Sequence, residues 1–168
     1  MGVLAQPNDV AKAYFTDTVL VDQDGNRHRF YTDLMQGKVV ILGSFHTDCA
    51  NVGPPMMAAL KRLPNDLSAR ASEFNIIFLS VDPADDVAET KAFATKHGAG
   101  PGWYFLTGEK TNIDIMLKKL GMAVAKKEDH TLILSVGNVR TGLWKKIHGL
   151  AQPADLRRHV EELLNDKK

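Results

Sequence analysis

A chain of 168 residues, 44% of them hydrophobic, is long enough to bury one core without disulfides or a metal as staples, so a single domain is expected. Its 21 basic and 20 acidic residues leave a formal charge of +1, with no long basic run and 7% aromatic residues, which excludes nucleic acid and acidic membranes as expected partners. The single cysteine excludes an intramolecular disulfide and leaves the compartment open.

Residues 1–14 read as a flexible N-terminal arm and residues 15–168 as one domain. The start, Met1 to Asp9, has neither a basic n-region nor a sustained apolar h-region, and no window approaches about 18 apolar residues. A cytosolic protein is expected, or one whose leader or anchor has been removed. Thr18-Val19-Leu20-Val21 and His28-Arg29-Phe30-Tyr31 flank Asp22-Gln23-Asp24-Gly25-Asn26, where the Asp-Gly pair predicts a hairpin turn. Thr32 to Gly37 reads as a single helical turn closed by glycine.

The stretch from Val39 to Met57 organises the rest of the chain. An unbroken apolar run ends in a polar turn carrying Cys49, and Pro54-Pro55 then opens a helix. A thiol delivered to a helix N-terminus feels the positive end of the dipole, which favours thiolate, nucleophilic chemistry and soft-metal binding. The helix carries Met57, Leu60, Leu63, Leu67 and Ala71 on one face, and Pro64 predicts a kink or a second helix near Leu63.

Asn75 to Val81 is a second fully apolar run and reads as a central parallel strand, with Asp82-Pro83-Ala84-Asp85 as its polar exit. A helix over about 85–97 comes next, for which Asp82, Asp85 and Asp86 are capping candidates rather than hard-metal ligands. Trp103 to Leu106 reads as a short strand and Trp103 as a core aromatic. A helix with Ile113, Met116, Leu117 and Leu120 as its stripe stops at Gly121. After a flexible-looking segment, Met122 to Glu128, come the strand 131–136, a turn at Gly137-Asn138 and the strand 143–148. Pro153 starts the last helix, striped by Leu156, Val160, Leu163 and Leu164. Helices and strands alternating between terminal hairpins predict an α/β sandwich with a mixed central sheet, of the thioredoxin kind. His28, His97 and His159 read as solvated surface; His148 stays undecided.

Four blocks in this order resemble the Sco/SenC family over roughly residues 15–160. Phe45-His46-Thr47-Asp48-Cys49-Ala50-Asn51-Val52-Gly53-Pro54 is similar to the family's Phe-Thr-x-Cys-Pro-x-x-Cys-Pro loop. Ser80-Val81-Asp82-Pro83, Pro101 to Gly108 and Asp129-His130-Thr131 are similar to three further signatures. The resemblance implies a thioredoxin-like fold and a copper chaperone or thiol-disulfide reductase acting on cytochrome oxidase. It also implies a periplasmic or membrane-anchored location, a copper-receiving partner such as an oxidase subunit, and a monomer or weak dimer. Where the family has its second cysteine this chain has Gly53, so the implied copper ligands reduce to Cys49 and His130, with Asp129 orienting the imidazole from behind. Candidates for a third ligand are His46, Asp48, Met56 and Met57. Methionine is the softest of these donors, and His46 reads as exposed by its polar neighbours. Gly53 also leaves Cys49 without a resolving partner. Two alternatives therefore stand beside copper binding: a one-cysteine thiol enzyme in which Cys49 is catalytic, and a non-catalytic interaction module. The usual peroxiredoxin spacing of Thr and Pro before the cysteine is absent.

Overall fold

The two longest apolar runs lie side by side at the middle of the molecule, where both faces of a strand can be covered. A computed structural model describes residues 7–48 and 53–167 of the chain. In chain order its elements are α1 (Pro7–Phe15), β1 (Val19–Val21), β2 (Arg27–Arg29), β3 (Val39–Phe45), α2 (Gly53–Asp66), β4 (Phe74–Ser80), α3 (Val87–Lys96), β5 (Trp103–Leu106), α4 (Lys110–Lys119), β6 (Ile133–Asn138), β7 (Leu143–His148) and α5 (Pro153–Asn165). A π-helical turn at Phe30–Met35 and short 3-10 turns at Ser68–Glu73 and Lys127–Asp129 complete them.

The main sheet has the order β5-β4-β3-β6-β7. The first three strands are parallel and the last two antiparallel, and β1 and β2 form a separate hairpin. The period of two along each strand sorts the core. Val39, Ile41 and Phe45 of β3, with Ile76 and Phe78 of β4 and Trp103 and Phe105 of β5, pack under α2, α3 and α5. Val40, Leu42, Ile77 and Leu79 face the opposite way, toward Phe15, Leu20, Phe30, Leu34 and the stripe of α4. Gly43 breaks the apolar series of β3 because the ring of Phe78 occupies the place of a side chain; a Cβ there would lie 2.7 Å from it.

Several expectations need correcting. Residues 7–14, read as part of a loose arm, belong to helix α1, whose Val10, Ala11, Tyr14 and Phe15 line an apolar cavity of about 720 Å³ against Leu120, Val139 and Trp144. Helix α2 runs through Pro64 to Asp66, and the break comes a turn later, at Leu67. Gly137 and Asn138 do not turn the chain; they pair with Trp144 and Leu143. The turn lies beyond them, where Asn138 Oδ1 accepts from the Arg140 and Thr141 amides. Among the described residues no helix is long and apolar enough to cross a membrane.

Candidate metal centre

Strands β3 and β4 run parallel, so their C-terminal ends finish together, with Phe45 paired to Ser80. Chain leaving such ends forms the crevice in which open α/β sheets place their sites. On the other side β6 pairs antiparallel with β3, the last pair being Leu42 with Ser135. Carried beyond that pair, the register brings the segment before β6 alongside the residues after β3, and so His130 beside His46.

Two polar contacts hold this rim. Asp85, 9% exposed, accepts from the Thr47 amide (3.2 Å), Thr47 Oγ1 (2.5 Å) and Ser80 Oγ (2.7 Å), which ties the loop after β3 to the end of β4. Lys127 Nζ donates to Asp48 Oδ2 (2.6 Å) and Asp82 Oδ2 (3.0 Å), joining both strand exits to the turn that precedes His130. Hydrogen bonds to Asp48 and Asp82 raise the Lys127 amine above its ordinary range and keep it charged. The Ala84 amide, then Lys127, holds the Asp82 carboxyl below the usual range.

The imidazoles of His46 and His130 meet edge to face, with centroids 5.0 Å apart and planes at 86°. His46 is 6% exposed, and its Nδ1 has no hydrogen-bond partner among the described residues. Ser44 Oγ, two residues earlier in the same strand direction, is buried in the same condition. Burial pushes the His130 imidazole below its ordinary value, and the His46 ring adds to this, against backbone hydrogen bonds at Thr131 and Ser44. His130 is therefore biased to the neutral form that binds metal, and its backbone bonds fix the ring as ligand imidazoles usually are fixed.

The other candidate ligands do not all fall within the described residues. Cys49 lies outside the described residues, with Ala50, Asn51 and Val52; Gly53 begins α2. Met56 and Met57 are each 1% exposed and packed in the core, the Met56 sulfur against the backbone of Gly149. Asp48 is exposed and engaged by Lys127. Asp129 is exposed, in the 3-10 turn that leads into His130. Among the described residues no three His, Cys, Asp or Glu side chains gather as a metal cluster, so the assembly there is the imidazole pair.

His46 is buried where its polar neighbours predict exposure, because those neighbours turn toward Asp85 and Lys127 instead of carrying it into water. His28 is likewise no surface residue: it sits against Asp22 at 2.7 Å with its side chain 18% exposed. Of the three acidic residues read as caps, only Asp86 caps α3, in a reciprocal capping box with Glu89. The roles of Asp85 and Lys127 escape sequence reasoning, since nothing local pairs either with a residue about forty or more positions away.

A family model described as SCO1/SenC matches residues 6–165. Among solved structures the chain is similar to a SCO1/SenC family lipoprotein from Bacillus anthracis: 26% identical, TM-score 0.73, with 88% of this chain and 92% of that one covered. It is also similar to BsSco, a member of the Sco family of cytochrome c oxidase assembly proteins: 25% identical, TM-score 0.72, 91% and 94% covered. Arabidopsis thaliana ScoI with copper bound shares the fold at TM-score 0.76 and 20% identity, with 90% and 98% covered. Among curated proteins none matches the chain. The mixed sheet with flanking helices is the thioredoxin-like arrangement expected from the sequence.

Proposed function

The chain belongs to the SCO1/SenC family, and from that premise we propose that it is a copper-binding protein of the cell envelope that serves cytochrome oxidase assembly with an altered site. Cys49 and His130 carry the copper, and the recipient is an oxidase subunit or a protein of that kind. The observation that supports this most is the placement of His130. Its imidazole is disposed to the neutral form, tied to the backbone of β3 and set beside the loop that leads to Cys49. A thiolate with neutral imidazole suits Cu(I), which accepts few and soft ligands. The envelope location is supported by the description of the Bacillus anthracis relative as a lipoprotein.

Gly53 bears on mechanism as well as affinity. With one cysteine no disulfide closes within the chain, so this protein handles copper by ligand binding and exchange, and any disulfide chemistry needs a thiol from another molecule. Competitive Cu(I) titration of the reduced protein tests the reading. One-to-one binding is expected, lost in Cys49→Ser and in His130→Ala and tightened in Gly53→Cys. Uptake that appears only in Gly53→Cys would overturn it.

A further inference from the structure

We propose that the cavity between helix α1 and the β6–β7 hairpin binds an amphipathic anion: a single molecule with an apolar body and a carboxylate end, of the fatty-acid kind. It involves none of the residues of the candidate metal centre and does not depend on the copper reading.

The sheet makes the room. Along β6, Leu134 and Val136 belong to the core under α5, so the alternate residues Ser135 and Gly137 face α1. Position 137 is a glycine because the Trp144 indole of β7 lies against it; a Cβ there would collide with the ring. With the indole drawn down onto the strand, a space of about 720 Å³ remains beneath α1, within the range of small-molecule sites. Phe15 packs 5.5 Å from Trp144, and Tyr14 meets Phe15 edge to face at 5.0 Å, which gives one wall of three aromatic rings. Tyr14 is fixed in that place by its hydroxyl, which donates to the Lys119 carbonyl (2.8 Å). Val10 and Tyr14 nevertheless stay 58% and 53% exposed, so α1 offers apolar surface at the cavity that the described residues leave uncovered.

The charge around this space selects the occupant. No aspartate or glutamate lines it, whereas Lys119 of α4 and Lys146 of β7 do. Lys119 Nζ stands 5.5 Å from the centroid of the Tyr14 ring, and Lys146 Nζ donates to the Ser135 hydroxyl at 2.6 Å. Among the described residues the lysines paired with carboxylates are Lys91, Lys110, Lys127 and Lys145, the last of which lines the cavity but is held by Glu162 of α5. Lys119 and Lys146 therefore stand without a counter-charge beside an apolar enclosure. That arrangement attracts an acid with an apolar body and repels a cation of the same shape.

The test titrates the full chain with laurate, kept below its micelle concentration, and separately with dodecyltrimethylammonium, followed by heat and by tryptophan fluorescence. Saturable one-to-one binding of laurate is expected, about fivefold or more tighter than that of the cation, with a fluorescence change that disappears in Trp144→Phe. In the Lys119→Gln/Lys146→Gln double variant laurate affinity should fall about fivefold, to the level of the cation, with a urea midpoint that shows it folded. Wild-type protein that binds neither probe, binds both alike or takes up laurate without saturation would overturn the proposal. So would a folded double variant that binds laurate as wild type does, or a fluorescence change that persists in Trp144→Phe. Should the double variant fail to fold, the wild-type comparison of the two headgroups decides alone.

Discussion

Two histidines of this protein are withdrawn from water beside a second ionisable side chain. At His28 the neighbour is a carboxylate: Asp22 Oδ2 lies 2.7 Å from the ring, while Asp22 Oδ1 accepts from the amides of Asp24 and Asn26 and closes the turn between β1 and β2. At His46 the neighbour is the imidazole of His130. The Asp22 carboxylate is a hydrogen-bond partner for the His28 ring, whereas the His46 ring meets only the edge or face of another ring. The first pair is thus complete in itself and belongs to the architecture. The second leaves His46 Nδ1 without a hydrogen-bond partner among the described residues, as a ligand site would and a self-contained structural pair does not.

The comparison is sharpened most by removing each partner. Asp22→Ala strips the turn of its charged acceptor and should cost about 2–3 kcal/mol in urea unfolding, with Cu(I) affinity unchanged. His46→Phe replaces an orphaned polar ring by an apolar one and should stay within about 1 kcal/mol of wild type. If His46→Phe destabilises as much as Asp22→Ala, the two histidines are alike and the distinction fails.

Acid separates the pairs in a second way. In the metal-free protein His130 has a folded value below its ordinary 6.5, so on acidification the unfolded chain takes the proton first. The associated stability is complete above about 6.5 and is lost as pH falls through the folded value. Asp22 is also lowered: burial raises it, but the bonds from His28, Asn26 and Asp24 outweigh burial. Its contribution is complete above 3.8 and is lost below, through its own folded value. Urea midpoints measured against pH should therefore show a loss that begins near neutrality and flattens in His130→Gln. A separate acidic loss should flatten in Asp22→Ala. A His130→Gln curve parallel to wild type between pH 7 and 5 would sink the assignment.

The smallest expected effect concerns Lys127. Lys127→Met leaves the Asp48 carboxylate unpaired one residue from Cys49, which disfavours thiolate. Alkylation of the thiol at neutral pH should slow by about twofold, with little change in unfolding. Faster alkylation would mean that Lys127 shields the thiol instead.

Much of this is legible in the sequence, and the remainder is hidden for identifiable reasons. The apolar runs of β3 and β4 announce themselves because both faces are buried, and Asp129-His130-Thr131 stands out as a block. Helix α1 is short, but Val10, Ala11, Tyr14 and Phe15 repeat at helical spacing and could have disclosed it. The turn after β6 is easily misplaced because Gly-Asn looks like a hairpin signal, while Asn138 uses its side chain to shape the turn beyond it. His46 is misjudged when burial is inferred from sequence neighbours, because the ring that packs on it, His130, comes from the distant segment that precedes β6. A site made where strands end is written across distant segments, and only the pairing register joins them.

The antiparallel docking of β6 on β3 also sets an order of events. The parallel unit of β3, β4 and β5 is contiguous in sequence, whereas the β3–β6 ladder closes a loop of nearly a hundred residues and carries the larger entropic cost. His46 and His130 therefore become neighbours only once the last large loop has closed. On the copper-binding reading proposed above, an ion held at this end of the sheet would stabilise only the finished fold, so loading would act as a check on the completeness of the chain that carries it.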